Sequence, residues 1–307
     1  MNVIETILHD FPLGQQEVER LVRTAPARYK VHEIEKRNGR GKRTIAQPTA
    51  EIKLLQRYLV DRYVAKLPVS EAAKAYRIGH GIFDHASPHA RNQYLLKLDF
   101  KDFFHSIRAM DFIKHLRKYS ALSAEDARVL SRVFFWRPKG QRTLVLSIGA
   151  PSSPAISNTL MFDFDLAVIE HCTKNGITYT RYADDLALST NEPNVLGDAH
   201  KFIAALCCGI KNPRLTLNDE KTVFTSKKHH RQLTGLVLSN SGTASIGREK
   251  KRSIRAMAHH YKQGKLAPED YAKLRGWLAF TMSVDREFVK TIETMIGQVA
   301  FQKLMQG

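Results

Sequence analysis

The chain has 307 residues and a strong excess of basic side chains, with 48 Lys and Arg against 30 Asp and Glu and a formal net charge of +18. This charge favours polyanionic partners, with nucleic acid first and an anionic membrane surface as the weaker alternative. The sequence has no apolar run of about eighteen residues, no signal-peptide pattern at its start and no metal-ligand spacing among its three cysteines, so we expect a cytoplasmic, reducing location and no membrane partner.

Helical and strand-like patterns alternate along the chain. Residues 1–26 show the apolar spacing of helices, and residues 28–48 alternate around the basic turn NGRGKR, which predicts a hairpin. The other predicted elements are helices at 50–67, 110–120, 124–136, 154–176 and 198–212, a hairpin at 177–190, strands at 93–100, 215–225 and 233–239, and a mostly helical segment from about 247. Because the order lacks the regular βαβ spacing of a doubly wound fold, we expect an α+β fold with an antiparallel sheet backed by helices.

Three carboxylates stand out on these elements. Asp184 and Asp185 are adjacent at the turn of the predicted hairpin, and Asp99 closes the predicted strand LLKLDF. Neighbouring like charges repel unless a cation neutralises them. Two Mg²⁺ ions held by such carboxylates would suit an in-line phosphoryl transfer. The alternative is a solvated turn, with Asp99 as a helix cap.

The ordered motifs of the chain resemble a known family. YADD (182–185), LDFKDFF (98–104) and GAPSSPAISN (149–158) together look like the palm of a reverse transcriptase. The segments similar to the bacterial retron reverse transcriptases in particular are KRTIAQP (42–48), HASPH (85–89), LTGLVLS (233–239), IGREKKRSIRA (246–256) and RGWLAFTMSVD (275–285). YxDD alone is a weak signal, but the ordered set, from about residue 28 to 285, is strong.

The resemblance implies a right-hand polymerase with fingers, a palm whose antiparallel sheet packs on helices, and a helical thumb. It places an N-terminal helix and the fingers in residues 1–95. The palm follows in 96–225, with a helical insertion at about 108–145, and a primer-grip strand and basic helical thumb occupy 226–307.

The resemblance also implies the catalytic centre. Asp99 and Asp184 would be the principal ligands of two Mg²⁺ ions, with Mn²⁺ as a substitute, and Asp185 would complete the acidic cluster. Lys221, in LNDEKT, matches the lysine expected near the leaving pyrophosphate, where a proton donor helps. The alternative for Lys221 is a pair with Glu220 or solvent.

A nucleotide site follows from the same resemblance. Phe104 matches the family's steric gate against a 2′-OH, and Arg43 matches the residue expected on the incoming triphosphate. Ile148 departs from the family's usual Gln before the GAP motif, which puts a polar contact to the nucleotide or template in doubt. The implied nucleotide-binding residues are Lys42, Arg43, Phe100, Phe104, Gly149, Ala150 and Pro151.

The C-terminal third indicates a grip on nucleic acid independently of the resemblance. Between Lys221 and Lys265 the only acid is Glu249, and such a one-sided segment favours phosphate contact over a merely solubilising face. Two departures from the retron pattern occur, because His85 replaces an Asn and Leu233 replaces a Val. The residues that we expect to bind RNA are His85, His89, Thr234, Gly235, Arg248, Lys251, Arg252 and Arg255.

The implied activity is that of a retron-type enzyme. It would bind its own structured non-coding RNA and start DNA synthesis on the 2′-OH of an internal guanosine. It would then copy part of that RNA from deoxynucleoside triphosphates into branched multicopy single-stranded DNA. Removal of template RNA would need a host ribonuclease H, and antiphage defence would involve an effector protein encoded nearby. The alternatives are a group II intron-like or other bacterial reverse transcriptase with a conventional primer, and a catalytically silent RNA-binding scaffold.

Overall fold

The computed structural model describes residues 2–35, 39 and 41–306, so most of the predicted basic turn, residues 36–38 and 40, lies outside the described residues. The helices are α1 (Val3–Asp10), α2 (Gln15–Thr24), α3 (Ala50–Tyr63), α4 (Ile82–Ala86), α5 (Phe103–Ser106), α6 (Ala109–Tyr119), α7 (Ala124–Phe134), α8 (Ser153–Leu160), α9 (Phe162–Lys174), α10 (Val195–Gly209), α11 (Arg248–Lys262), α12 (Pro268–Met282), α13 (Arg286–Ile296) and α14 (Gln298–Gln306). The strands are β1 (Tyr29–Glu35), β2 (Lys42–Pro48), β3 (Tyr94–Asp99), β4 (Thr178–Tyr182), β5 (Asp185–Thr190), β6 (Val223–Ser226), β7 (Gln232–Leu233), β8 (Leu236–Leu238) and β9 (Ala244–Ser245).

The central sheet has four strands in the order β4-β5-β3-β6, and every neighbouring pair is antiparallel. A two-stranded hairpin, β1-β2, and a three-stranded sheet, β7-β8-β9, flank it along the chain. These antiparallel sheets and the surrounding helices confirm the predicted α+β class. Among the described residues, no helix combines the length and apolar character needed to cross a bilayer.

Strand β3 separates two hydrophobic cores. Leu96 and Leu98 pack into a core that also receives side chains from α1, α3, α6, α7 and α9. Leu95, on the opposite face, packs with Ala187 of β5 into a second core formed with the β7–β9 sheet and helices α11–α14. Successive strand residues point to opposite faces, so the apolar run in YLLKL supplies both cores at once.

Three predicted elements differ from the structure. The predicted helix at 154–176 is divided at Met161, whose ψ of 0° ends α8 before α9 begins. The predicted strand at 215–225 contains a 3₁₀ turn at Asp219–Lys221, and only its end forms β6. The predicted strand at 233–239 is a hairpin, because Thr234 and Gly235 both have positive φ, at 43° and 86°.

Candidate active site

The register of the central sheet brings the three predicted carboxylates together. Asp99, the last residue of β3, is paired directly with Asp185, the first residue of β5. Side chains at directly opposite positions of an antiparallel pair lie on the same face. The carbonyl of Asp184, in the turn before β5, accepts a hydrogen bond of 3.3 Å from the Phe100 backbone N–H. Asp99 is buried, Asp184 is half-buried and Asp185 is exposed, so the cluster lies at an accessible edge of the sheet.

A buried arginine holds the turn that carries Asp184. Ala183 has a φ of 58°, a backbone conformation that side chains with a Cβ rarely adopt. The guanidinium of Arg181 donates a 3.1 Å hydrogen bond to the Ala183 carbonyl and a 2.7 Å bond to Asp165 of α9. Arg181 and Asp165 are both 0 % exposed. The ion pair therefore holds the turn in place from the protein interior. The sequence analysis did not predict this role, for which the Arg just before YADD was the signal.

The carboxylates repel one another in this arrangement. Asp185 keeps exposed surface, but the surrounding atoms partly desolvate its carboxylate. This desolvation, followed by the charges of Asp184 and Asp99, raises the pKa of Asp185 to about 7. Burial and the charge of Asp99 also raise the pKa of Asp184, although Lys221 and Arg43 oppose this shift. A nearby cation would stabilise the ionised forms of these carboxylates.

Lys221 places one positive charge next to the carboxylate cluster. Its Nζ donates to both carboxylate oxygens of Asp99 at 2.9 Å, from the 3₁₀ turn that follows the 2.8 Å bond between the Asn218 N–H and the Asp99 carbonyl. Burial lowers the pKa of Lys221, but its bonds to Asp99 and the charges of Asp184 and Asp185 more than compensate, so the net shift is upward. The ion pair between Lys221 and Glu220, which was one alternative from the sequence, is therefore not formed.

The donor set fits a hard divalent cation. Three carboxylates converge, and two of them have pKa values raised by mutual repulsion, which a cation would relieve. As arranged, no group of three or more His, Cys, Asp or Glu side chains among the described residues is positioned to enclose an ion. The Lys221 amine contacts both oxygens of Asp99 and so supplies a positive charge next to the carboxylates.

A cavity of about 350 Å³ lies near the carboxylates, because Tyr76, one of its lining residues, is close enough to Asp184 and Asp185 for their charges to raise its pKa. The ring of Phe104 lines it together with Ile148 and the loop Gly149, Ala150 and Pro151. Gly149 has a φ of 117°, and a Cβ there would lie 3.1–3.2 Å from atoms of Gln47, Ala46 and Ile45 on β2. The glycine thus lets the loop pack against the strand that carries Arg43. Ile148 gives this cavity an apolar wall where the family's amide was expected.

Three further residues line the same cavity and were missed from the sequence. Lys53 and Arg57 reach it from successive turns of α3, and Tyr76 closes another side. Tyr76 is 51 % exposed and has a φ of 59°, which is costly for an aromatic residue and typical of functional positions. Burial first, then the charges of Asp184 and Tyr182, raise the pKa of Tyr76. The i, i+4 spacing of Lys53 and Arg57 could have indicated that both lie on the same face of α3.

The remaining predicted nucleotide contacts divide into three cases. Arg43 is close enough to the cluster for its charge to lower the pKa of Asp184. Its neighbour Lys42 pairs with Glu33 at 3.2 Å across the β1-β2 hairpin. The ring of Phe100 is buried, stacks on Phe103 and meets Phe164 edge-on, so a side-chain contact between Phe100 and a nucleotide is wrong. The Phe100 backbone N–H bonds to the Asp184 carbonyl.

The two histidines predicted to contact RNA lie inside the protein. His85 and His89 are 0 % exposed. Both rings bond to the hydroxyl of Thr180 on β4, at 2.7 and 2.8 Å, and His89 also bonds to Ser189 of β5 at 2.7 Å. Burial lowers the pKa of each imidazole to about 3, so both are neutral. Direct RNA contact by His85 and His89 is therefore wrong, because they tie α4 and the following turn to the strands that carry Asp184 and Asp185.

The basic residues of α11 have separate environments. Arg248 and Arg252 are exposed. Lys251 forms an ion pair with Asp285, and Lys251 and Arg255 both lie 5.1 Å from the ring centre of Phe288 on α13. Thr234 and Gly235 form the β7-β8 turn, and the Thr234 hydroxyl is buried without a hydrogen-bond partner. Lys251 is thus committed to a partner within the chain, whereas Arg248 and Arg252 present their charge to solvent.

Comparison with known proteins shows the family to which the chain belongs. The profile of the family described as reverse transcriptase (RNA-dependent DNA polymerase) matches residues 34–238. The chain therefore belongs to the reverse transcriptase family, and its enzymatic class is RNA-directed DNA polymerase. A telomerase from Candida albicans, solved with a TWJ fragment of telomeric RNA, is similar in fold with a TM-score of 0.50 and 14% identity over 90% of this chain and 58% of that one. The fold is that of a right-hand polymerase.

The similar curated proteins show which group of reverse transcriptases the chain resembles. The chain is 38% identical to the retron Ec83 reverse transcriptase of Escherichia coli, covering 92% of each protein. It is 31% identical to the retron Ec86 reverse transcriptase of Escherichia coli, covering 95% of this chain and 89% of that one. The chain is accordingly a bacterial retron reverse transcriptase, as the ordered motifs indicated.

Proposed function

We propose that this enzyme binds its own structured non-coding RNA and copies part of it into DNA that stays joined to the RNA through a 2′–5′ branch. The observation that supports this most strongly is the convergence of Asp99, Asp184 and Asp185 beside a cavity lined by Phe104 and two basic residues of α3. The retron relatives support RNA as the bound template. Antiphage defence, with an effector protein encoded nearby, and removal of template by a host ribonuclease H belong to the same proposal.

Asp99, Asp184 and Asp185 would hold two Mg²⁺ ions, with Mn²⁺ able to replace them. When bound, these ions supply the positive charge that stabilises the attacking and leaving oxygens of an in-line displacement. The chain's own residues do the rest. The priming hydroxyl loses its proton to water and forms a bond to the α-phosphorus while the bond to pyrophosphate breaks. The protonated amine of Lys221 can donate a proton to the leaving pyrophosphate and would regain one from solvent.

The nucleotide would occupy the 350 Å³ cavity. Phe104 would lie beneath the sugar and exclude a 2′-OH. Arg43, with Lys53 and Arg57 of α3, would contact the triphosphate, because planar guanidinium groups suit phosphate oxygens. Gly149, Ala150 and Pro151 would support the base and template through their backbone.

We further propose the boundaries of the three segments as fingers in 1–95, palm in 96–225 and thumb in 226–307. The second core supports the last boundary, because the β7–β9 sheet and helices α11–α14 contribute most of its side chains. The first core contains residues from both sides of the first boundary, so fingers and palm share one hydrophobic interior.

The test is branched-DNA synthesis after co-expression with the upstream RNA. The wild-type protein, the variant Asp184→Asn with Asp185→Asn, and the control Asp198→Asn would be purified with their nucleic acid. Asp198 is an exposed aspartate whose one ion pair within the described part of the chain is with Lys201. We expect DNA with a branch from the wild type and the control, and none from the double variant. DNA without a branch would instead support a conventional primer, and equal DNA from the double variant would refute the assigned catalytic centre.

A further inference from the structure

One face of strand β2 runs along the cavity near the carboxylates. Successive strand residues point to opposite faces, so Arg43, Ile45 and Gln47 lie on the same side of β2. At one end of this face, Arg43 is close enough to Asp184 for its charge to act on the pKa of that carboxyl. At the other end, a Cβ on Gly149 would lie 3.1 Å from the Cγ of Gln47 and 3.2 Å from the Cγ2 of Ile45. The face therefore extends from the carboxylates to the loop that lines the cavity.

Backbone contacts hold Gln47 beside this loop. The Ala46 N–H donates to the Ile148 carbonyl at 2.9 Å. Because Gly149 has no Cβ, the backbone of the loop can approach β2 closely. Gln47 is also paired with Lys30 of β1 in the register of the hairpin. The loop and β1 together therefore fix the position from which the Gln47 side chain extends.

The side-chain amide of Gln47 is available to a ligand. Gln47 is exposed, and its amide forms no hydrogen bond within the described part of the chain. An amide carries two N–H donors and a carbonyl acceptor. Ile148 lines the cavity with a side chain that cannot hydrogen-bond, and the hydroxyls of Ser147 and Ser153, which also line it, are buried. Gln47 thus places an exposed hydrogen-bonding group next to an apolar part of the wall.

The chemistry of nucleotides indicates which group this amide can bind. Phosphate oxygens are matched better by cations, which Arg43, Lys53 and Arg57 supply in the proposed function. A contact with the distinguishing edge of a base would discriminate among the four bases, which an enzyme that copies any sequence cannot use. A sugar hydroxyl occurs on every nucleotide and both donates and accepts a hydrogen bond, as an amide does. A sugar hydroxyl is therefore the group that fits.

We propose that the Gln47 amide hydrogen-bonds to a sugar hydroxyl of the base pair being formed, and so supplies a polar contact that Ile148 cannot make. The inference rests on the proposed function, in which the incoming nucleotide occupies the 350 Å³ cavity. Four strand residues span about 13 Å, so when Arg43 contacts the triphosphate, Gln47 lies toward the sugar and base. Two hydroxyls there have the required chemistry, which are the 3′-OH of the incoming deoxynucleotide and the 2′-OH of the templating ribonucleotide.

The test is single-nucleotide incorporation by the full chain on a primed RNA template, with KM and kcat measured for a deoxynucleotide. Gln47→Met keeps the length of the side chain and removes its hydrogen-bonding groups, and a double variant adds Ile148→Gln. The control is Thr44→Val, which changes a polar residue on the opposite face of β2. Two modified substrates distinguish the hydroxyls. A dideoxynucleotide lacks the 3′-OH, and a template with one deoxynucleotide at the templating position lacks the 2′-OH.

We expect Gln47→Met to raise KM roughly three- to tenfold, the effect of one neutral hydrogen bond, with a smaller change in kcat. Thr44→Val should match the wild type, and Ile148→Gln should lower the KM of the double variant toward the wild-type value. The rise in KM caused by Gln47→Met should vanish on the one modified substrate that lacks the partner hydroxyl, because the variant then has no bond to lose.

Three results would overturn the proposal. These are an unchanged KM for Gln47→Met, a rise in KM that persists on both modified substrates, and an equal rise for Thr44→Val, which would indicate a disturbed hairpin instead of a lost ligand contact. Failure of the wild type to incorporate any nucleotide would refute the proposed function together with this inference. Normal wild-type incorporation with an unchanged Gln47→Met would refute the inference alone.

Discussion

Replacing Arg181 by Met would leave the carboxylate of Asp165 buried without its counter-ion. Both side chains are 0 % exposed, and the guanidinium supplies three hydrogen bonds to Asp165 at 2.7–3.1 Å. Removing one partner of a buried ion pair typically costs about 3–5 kcal/mol, because the remaining charge keeps its desolvation penalty. We therefore expect the free energy of unfolding of Arg181→Met to fall by about that amount.

A matched pair on the same helix gives the contrast. Glu170 and Lys174 form a 2.7 Å pair with both side chains 70% exposed, so Glu170→Gln should leave the free energy of unfolding nearly unchanged. The double variant Arg181→Met with Asp165→Asn removes the buried charge and keeps an oxygen to accept the 2.8 Å hydrogen bond from the Tyr179 hydroxyl. It should recover about half or more of the loss in stability.

The assay is urea unfolding followed by circular dichroism, with primer extension measured on the folded protein. The double variant should remain catalytically impaired, because the Ala183 carbonyl beside Asp184 still lacks its donor. Two results would refute the reasoning. One is a loss below about 1 kcal/mol for Arg181→Met, and the other is full polymerase activity in the stabilised double variant.

Four further predictions concern the catalytic region. Burial and neighbouring carboxylates raise the pKa of Asp185 from 3.8 to about 7. The metal-free folded state therefore binds more protons than the unfolded state, and stability should fall from about pH 5 to about pH 8. In EDTA the Tm of the wild type should fall over this pH range, and the Tm of Asp185→Asn should fall less. An Asn variant whose Tm falls as steeply as that of the wild type would contradict the raised pKa. Phe104→Ala should relax discrimination against ribonucleotides by about 10- to 100-fold in single-nucleotide incorporation, with Phe103→Leu as a packing control; unchanged discrimination would contradict the gate. Gly149→Ala should lower the free energy of unfolding by about 1–3 kcal/mol in urea titration, because its φ of 117° and contacts with β2 leave no strain-free place for a Cβ; a neutral effect would contradict the close approach. Tyr76→Ala should raise the KM for deoxynucleotides with less effect on kcat, while Tyr76→Phe should keep a KM near that of the wild type; equal effects of both would assign the role to the hydroxyl instead of the ring.

Sequence patterns predicted the parts of this molecule that depend on local order. Alternation and turn chemistry predicted the β4-β5 hairpin, because the register of a hairpin follows from its short connection. The order of the family motifs predicted that Asp99 would lie with Asp184 and Asp185, although β3 and β5 are distant along the chain. The helical spacing from 247 onward gave α11–α14. These features require only neighbours along the chain or motifs in a fixed order.

The missed features depend on which side chain faces inward. Nothing in HASPH distinguishes an imidazole that contacts RNA from one that bonds to Thr180, because that hydroxyl lies 95 residues away in sequence. Arg181 and Phe100 are similar cases, since their partners come from α8 and α9. Lys42 and Arg43 are adjacent, but successive strand residues point to opposite faces. Lys42 therefore pairs with Glu33, whereas Arg43 lies near Asp184.

Strand β3 connects the carboxylate cluster at its Asp99 end to the β7–β9 side of the molecule at its Tyr94 end. It is hydrogen-bonded to β5 on one edge and β6 on the other, and it is packed by separate cores on its two faces. A slip of one residue would exchange the side chains of those cores, so intermediate positions are excluded. The position of the Asp99 end relative to the β7–β9 sheet is therefore fixed by packing on both faces of the strand. An insertion or deletion of one residue in β3 should disrupt both cores and displace Asp99 at the same time.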